Sequence, residues 1–272
     1  MELLLSSIFL GIVEGVTEYI PVSSTGHLIL FGTAIGFDAG GEGAFEVFIQ
    51  LGAILAVLVL YTGRFTGLLD FSGGYQLREE RGFTGLQGLT KLGLACLPAF
   101  VLGFLFHEFI KSHLFSPLPV AAALIFGGIV MVFIDRIVRA QRIETLEDIS
   151  YARSFGIGLF QCFALWPGMS RSGSTIVGGM ILGLDKKIAA EFSFLVAVPV
   201  MFAAVTYDMW KNFGLLSADD IMPFAVGFLV SFITAVVSIK FLMEILKRYS
   251  LAPIGYYRIV VGILVLLLIW QW

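Results

Sequence analysis

Carboxylates, hydroxyls, an imidazole and a guanidinium are gathered into two short stretches of an otherwise apolar chain. The first runs Glu14-Gly15-Val16-Thr17-Glu18-Tyr19-Ile20-Pro21-Val22-Ser23-Ser24-Thr25-Gly26-His27. The second runs Gln161-Cys162-Phe163-Ala164-Leu165-Trp166-Pro167-Gly168-Met169-Ser170-Arg171-Ser172-Gly173-Ser174-Thr175. Glu14 and Glu18 are four residues apart, so on a helix they share one face at about 6 Å. In apolar surroundings such a pair holds a proton or binds a cation such as Mg²⁺ or Ca²⁺, and either serves hydrolysis. Ser23, Ser24 and Thr25 place three hydroxyls beside His27. A serine next to a histidine makes an activated nucleophile, and a histidine can itself attack phosphorus. The same string also reads as a helix cap ahead of the apolar Leu28–Phe31 run.

Arg171 tips the balance towards phosphate chemistry. A guanidinium at membrane depth needs an anion, and phosphate suits its fork of N–H donors. Ser170, Ser172 and Thr175, with backbone amides freed by Gly173, complete an anion nest at a helix start. The plainer alternative pairs Arg171 with Glu14 or Glu18 to hold the two segments together. Gln50 and Gln161 are the further polar residues expected to line a cavity. Laid on Gly11 and Gly158, the two segments align without a gap: Glu14 falls on Gln161, Ser23 on Ser170 and Gly26 on Gly173.

These groups need elements that bring them to one place. The chain of 272 residues is 58% hydrophobic with 26 Phe, and only 14% of it is charged, where soluble domains run near a quarter. Apolar runs such as Ile54–Tyr61, Ala121–Ile134 and Ile259–Trp270 mark an all-α, polytopic membrane protein, a single membrane domain over 1–272. Six spans are predicted near 45–62, 92–106, 118–135, 190–207, 222–246 and 254–272. The apolar stretches flanking each motif, 3–20 with 27–37 and 154–166 with 174–184, are too short to span alone and are broken at their centres. They read as two re-entrant helical hairpins whose irregular backbone faces protein or a wet cavity. Cys96 and Cys162 read as packing residues. The net charge of −3 says little, no nucleic-acid partner is expected, and Met1-Glu2-Leu3 argues against a cleaved signal peptide.

Charge placement orients the chain. The segments 63–91, 136–153, 185–189 and 247–248 hold twelve Lys and Arg, the opposite loops only Lys111 and Lys211. That places the four segments in the cytoplasm and both termini outside. Each half is then a hairpin followed by three spans, over 1–137 and 150–272. Three is odd, so the halves are inverted-topology repeats whose motif loops meet near mid-membrane. Phe45-Glu46-Val47-Phe48 and Ala190-Glu191-Phe192-Ser193-Phe194 echo one another after the two hairpins.

At Glu14-Gly-Val-Thr-Glu18, Pro21-Val-Ser-Ser-Thr-Gly-His27 and Leu165-Trp-Pro-Gly-Met-Ser-Arg-Ser-Gly173 with Thr175, the chain resembles the undecaprenyl-pyrophosphate phosphatase, or bacitracin-resistance, family. Phe45-Glu46 through Gln50-Leu51-Gly52 and Phe106-His107-Glu108 extend the resemblance over essentially the full length, while 63–91 matches poorly. The resemblance implies removal of the terminal phosphate from undecaprenyl pyrophosphate, which regenerates the carrier lipid for cell-wall glycan export. It implies a divalent cation, the bacterial plasma (inner) membrane, and a site opening to the outer, periplasmic side. It carries the acidic pair onto Glu14 and Glu18, the serine-histidine segment onto Ser24 and His27, and the phosphate-binding arginine onto Arg171. Type-2 phosphatidic acid phosphatases share Ser-Gly-His and Ser-Arg strings, but they need a histidine after the arginine that is missing here. The rival from another class is a transporter that flips a lipid phosphate through the same cavity. The expected partners are an isoprenoid pyrophosphate lipid and the phospholipid bilayer, with a homodimer left open.

Overall fold

The computed structural model describes residues 2–37, 43–72, 82–138, 143–212 and 218–270. Among them the regular elements are all helices, apart from one isolated bridge between Ile143 and Leu184. The elements are α1 (Glu2–Thr17), α2 (Ser24–Ile35), α3 (Ala44–Leu60), α4 (Thr62–Leu68), α5 (Gly85–Leu105), α6 (His107–Leu114), α7 (Pro117–Ile137), α8 (Tyr151–Gln161), α9 (Arg171–Ile181), α10 (Lys186–Asn212), α11 (Ile221–Leu246) and α12 (Ala252–Trp270). Helices satisfy every backbone group internally, the condition a hydrocarbon solvent imposes. Outward faces accordingly carry exposed Phe126, Phe133, Leu229, Phe241, Leu264 and Leu268.

Five helices (α5, α7, α10, α11 and α12) are long and apolar enough to cross a membrane. The count rises to six if α3 and α4 form one broken span, bent by 82°. Alone, the 17 residues of α3 reach about 25 Å at the α-helical rise. All six predicted spans therefore correspond to helices, two of which start several residues earlier: α10 runs over Lys186–Asn212, beyond 190–207 at both ends. Helix α5 starts at Gly85, not near 92, and takes in Lys91. Lys91 is fully buried, and its ammonium donates to the carbonyls of Gly82 (2.8 Å) and Glu147 (3.1 Å). An ammonium capped by carbonyls does not need to end a helix.

The four basic segments gather at one end of the bundle. Arg64 on α4 bridges Glu147 (2.8 Å) and Glu191 on α10 (2.9 Å). Lys186 on α10 pairs with Asp135 on α7 (3.4 Å) and donates to the Tyr249 carbonyl, just past α11 (3.1 Å). Arg78, Arg81, Arg139 and Arg142 lie outside the described residues.

The motif arms pack on distant helices: α1 lies on α11, α8 on α5, α3 on α10 and α7 on α12. Glycines set the first two crossings. A Cβ on Gly11 would stand 2.7 Å from the Gly227 carbonyl oxygen, and one on Gly158 2.6 Å from that of Ala95. Small residues at membrane helix crossings let backbones approach closely. Gly11→Ala is therefore expected to lower the melting temperature in detergent, since overpacking of this kind costs about 1–3 kcal/mol. Gly63→Ala, where an added Cβ meets nothing within 4 Å, is the control.

Candidate active site

Helices α1 and α8 each end short of a turn that a serine closes. Ser23 (φ 75°) and Ser170 (φ 72°) are the only non-glycine residues with positive φ among the described residues. A left-handed conformation at a residue with a Cβ costs on the order of 1–3 kcal/mol and survives only where the surroundings enforce it. Each serine then caps the helix it introduces. Ser23 Oγ accepts from the Gly26 amide (3.3 Å), and Ser170 Oγ from that of Gly173 (3.1 Å). The next residues, Ser24 and Arg171, begin α2 and α9. Both helix N-termini, with their positive dipole ends, meet a cavity of about 180 Å³. Glu18, Ser23, Ser24, Thr25, Ser170 and Arg171 line its polar side, Gln50 and Gln161 add two carboxamides, and Ala99, Leu165, Val200, Met201 and Ala204 form an apolar wall.

Glu18 is the hub. Its Oε1 accepts from Arg171 Nη2 at 2.8 Å, and its Oε2 accepts a short hydrogen bond from the Ser24 hydroxyl. Its backbone carbonyl accepts from Ser172 Oγ at 3.1 Å. Arg171 is held from the far side, where Nη1 donates to the Ser193 carbonyl (2.9 Å) and hydroxyl (3.3 Å). The guanidinium lies over the Tyr19 ring, 5.7 Å from its centroid, and Tyr19 donates its hydroxyl to the Ala53 carbonyl at 2.8 Å. Arg171 Nε is buried without a partner. The Arg171–Glu18 ion pair and a cavity-facing Arg171 thus coexist.

Three expectations about contacts change. The Ser24–His27 pair does not form: the ring nitrogens of His27 are taken by the Ser23 carbonyl at Nδ1 (2.8 Å) and the Tyr257 hydroxyl at Nε2 (2.9 Å). The carbonyl can only accept, so Nδ1 carries a proton, and in the neutral imidazole Nε2 then accepts from Tyr257. The imidazole also stacks on Tyr257 at 5.7 Å and 6°, away from the cavity lining. Ser172, Gly173 and Thr175, expected on the phosphate, lie behind the lining. Thr175 Oγ1 bonds Ser193 Oγ (2.7 Å) and the Arg171 carbonyl (2.9 Å), the Gly173 amide is spent on Ser170, and Ser172 braces Glu18. Glu14, one helical turn before Glu18, is wholly buried and also off the lining.

Both Glu14 carboxylate oxygens lack a hydrogen-bond partner. Among the described residues no three His, Cys, Asp or Glu side chains come together to hold a metal ion alone. A hard divalent cation, however, commonly takes one or two carboxylates and completes its shell with substrate phosphates and water. Glu14 with Glu18 fits that second pattern.

Sequence reasoning missed Tyr19, Ser193, Tyr257 and Arg258. Arg258 left a signal, a lone arginine inside an apolar span; Ser193 lay in the segment that echoes 45–48. The comparisons with known proteins agree over nearly the whole chain. The family model described as Bacitracin resistance protein BacA matches residues 7–264. An Undecaprenyl-diphosphatase of Maridesulfovibrio salexigens is 51% identical over 267 residues, covering 98% of each chain. Proteins of the same name from Nitratidesulfovibrio vulgaris and Oleidesulfovibrio alaskensis are each 47% identical, covering 97% of this chain and 98% of theirs. Matched by that model over residues 7–264 and by relatives at 47–51% identity over 97–98% of its length, the chain belongs to the BacA bacitracin-resistance family.

Proposed function

We propose that the protein hydrolyses undecaprenyl pyrophosphate to undecaprenyl phosphate and inorganic phosphate. The observation that carries this reading is a serine hydroxyl seated on a buried carboxylate, with a guanidinium on the carboxylate's other oxygen. Ser24 Oγ attacks the terminal phosphorus and its proton passes to Glu18 Oε2. The bond from that phosphorus to the bridging oxygen breaks, and the lipid monophosphate leaves. Water then attacks the phosphoserine, releasing inorganic phosphate and restoring the Ser24 hydroxyl. Arg171 binds the phosphoryl oxygens through its Nε–Nη2 edge, where Nε is free and Nη2 exchanges Glu18 for phosphate. The same exchange frees Glu18 to act as base, while Ser193 keeps Nη1 fixed. Stabilising charge on phosphoryl oxygens is the main catalytic task in such transfers. A divalent cation, Mg²⁺ or Ca²⁺, held by Glu14 with Glu18, would supply further neutralisation of that charge.

The helices α1–α2 and α8–α9 act as re-entrant hairpins of two inverted repeats. Support comes from the matched turns at Ser23 and Ser170 and from the exchange of partners, α1 on α11 and α8 on α5. The gathered basic end faces the cytoplasm of a bacterial plasma membrane, which puts both termini outside, and the family resemblance implies a cavity open to the outer side. A lipid-phosphate flippase would use the same repeats, but a carrier has no use for a hydroxyl seated on a carboxylate.

The test is phosphate release from undecaprenyl pyrophosphate by the purified protein in detergent, with and without divalent cation. Cation-dependent release is expected, and Glu14→Gln is expected to raise the cation concentration for half-maximal rate roughly ten-fold or more, the worth of one nearby charge. No release by folded protein that still binds the lipid would move the assignment to the flippase.

A further inference from the structure

Arg258 on α12 donates five hydrogen bonds from a fully buried guanidinium. Nη1 reaches the carbonyl of Pro21 (3.0 Å). Nη2 reaches those of Gly168 (2.9 Å), Met169 (3.0 Å) and Ala123 (3.3 Å), and Nε that of Leu124 (3.4 Å). All five acceptors are backbone carbonyls, and among the described residues Arg258 makes no ion pair. A buried cation without a carboxylate is a poor device for stability alone.

Its acceptors say what it does instead. Pro21 stands two residues before the left-handed Ser23, and Met169 immediately before the left-handed Ser170. One rigid, planar group therefore ties the loop that delivers Ser24 to the loop that delivers Arg171. Gly168 also lines the cavity, so the guanidinium sits directly behind that lining. The preceding residue holds the first loop by a second route, Tyr257 to His27 and His27 to the Ser23 carbonyl.

We infer that Arg258 is a positioning residue for the phosphoryl transfer, acting through the Ser23 and Ser170 turns on Ser24 and Arg171 without touching substrate. The inference rests on the phosphatase reading for its main assay. Two variants probe it. Arg258→Lys keeps the charge but cannot span both loops from one ammonium. Gly127→Ala removes no donor but displaces the group, because the added Cβ would collide with Arg258 Nη2 and stand 2.9 Å from its Cζ. The nearest atoms are the tip of one side chain and no backbone, and the melting temperature reports whether the fold is retained.

Turnover, KM and melting temperature are measured for wild type and both variants, together with the thermal shift on adding farnesyl pyrophosphate. Turnover is expected to fall by roughly 100-fold in Arg258→Lys, the effect of an ångström-scale misplacement, with KM raised. Gly127→Ala is expected to lose turnover in the same direction. Folded variants with wild-type turnover and KM, and only a lower melting temperature, would make Arg258 a plain structural residue and overturn the inference. If Arg258→Lys does not fold, Gly127→Ala decides alone. A wild type that releases no phosphate sinks the phosphatase reading instead. The farnesyl pyrophosphate shift then decides: its loss in Gly127→Ala supports the inference, and an undiminished shift overturns it.

Discussion

Ser24→Ala is expected to slow phosphate release by roughly 10⁴-fold or more, the scale of losing a nucleophile from a working pair. His27→Ala, three residues on, is expected to lose no more than about 100-fold, the worth of a buried hydrogen bond at 1–3 kcal/mol. The asymmetry follows from where each group points. The Ser24 hydroxyl rests on Glu18 Oε2 inside the cavity, poised to lose its proton to a carboxylate. The His27 ring is held between the Ser23 carbonyl and Tyr257, with no nitrogen left for Ser24. Removing it loosens the strained Ser23 turn, which degrades the position of Ser24 but leaves the hydroxyl and its base in place. Phosphate release by the two purified variants, compared at saturating substrate, settles the matter. Equal losses would put His27 on the reaction path and remove Glu18 from its role as base.

Arg171→Lys is expected to lower kcat/KM by about 10²- to 10³-fold, the scale of losing a preorganised donor set on developing charge. Lysine keeps the positive charge, so simple attraction of a phosphate survives. It loses the division of labour within one planar group. Nη1 is anchored on Ser193, Nη2 is on Glu18 and Nε is free; a single ammonium cannot hold the anchor, release the carboxylate and present two donors to phosphate. Packing over Tyr19 is also lost. Retention of near-normal turnover by a folded Arg171→Lys protein would rule out the bidentate role.

Which of these features were legible in the sequence depends on how local they are. The two turns were, because Ser, Gly and Pro in an apolar chain mark broken helices, and the alignment of Ser23 with Ser170 carried through to matching left-handed φ values. The spans were legible as apolar runs, and the difference at α5 arises because Lys91, counted with the basic segment 63–91, is buried inside the helix where carbonyls elsewhere in the fold cap it. The Ser24–His27 pair was the misleading case. At i and i+3 the two belong to one helical face, yet Ser24 is the first residue of α2 and reaches across to Glu18, while His27 turns to the carbonyl of Ser23. Tyr257, at a separation of 230 residues from its histidine, and Arg258, 237 from Pro21, could not be placed by pattern at all. Such partners are created only by the packing of α12.

The crossed packing of the arms has a bearing on biogenesis. Helix α1 is synthesised long before the surface it lies on, α11, residues 221–246. Its carboxylate at Glu18 meets Arg171 only across 153 intervening residues. Contacts at such separations form late, after the entropy of closing long loops has been met. Most of the polypeptide must therefore be threaded into the bilayer before the first arm can dock, and for that interval Glu14 and Glu18 wait at the membrane without the guanidinium that neutralises one of them. A nascent chain of this design must shelter two acidic residues until α9 has brought Arg171 and α11 has brought the surface on which α1 docks.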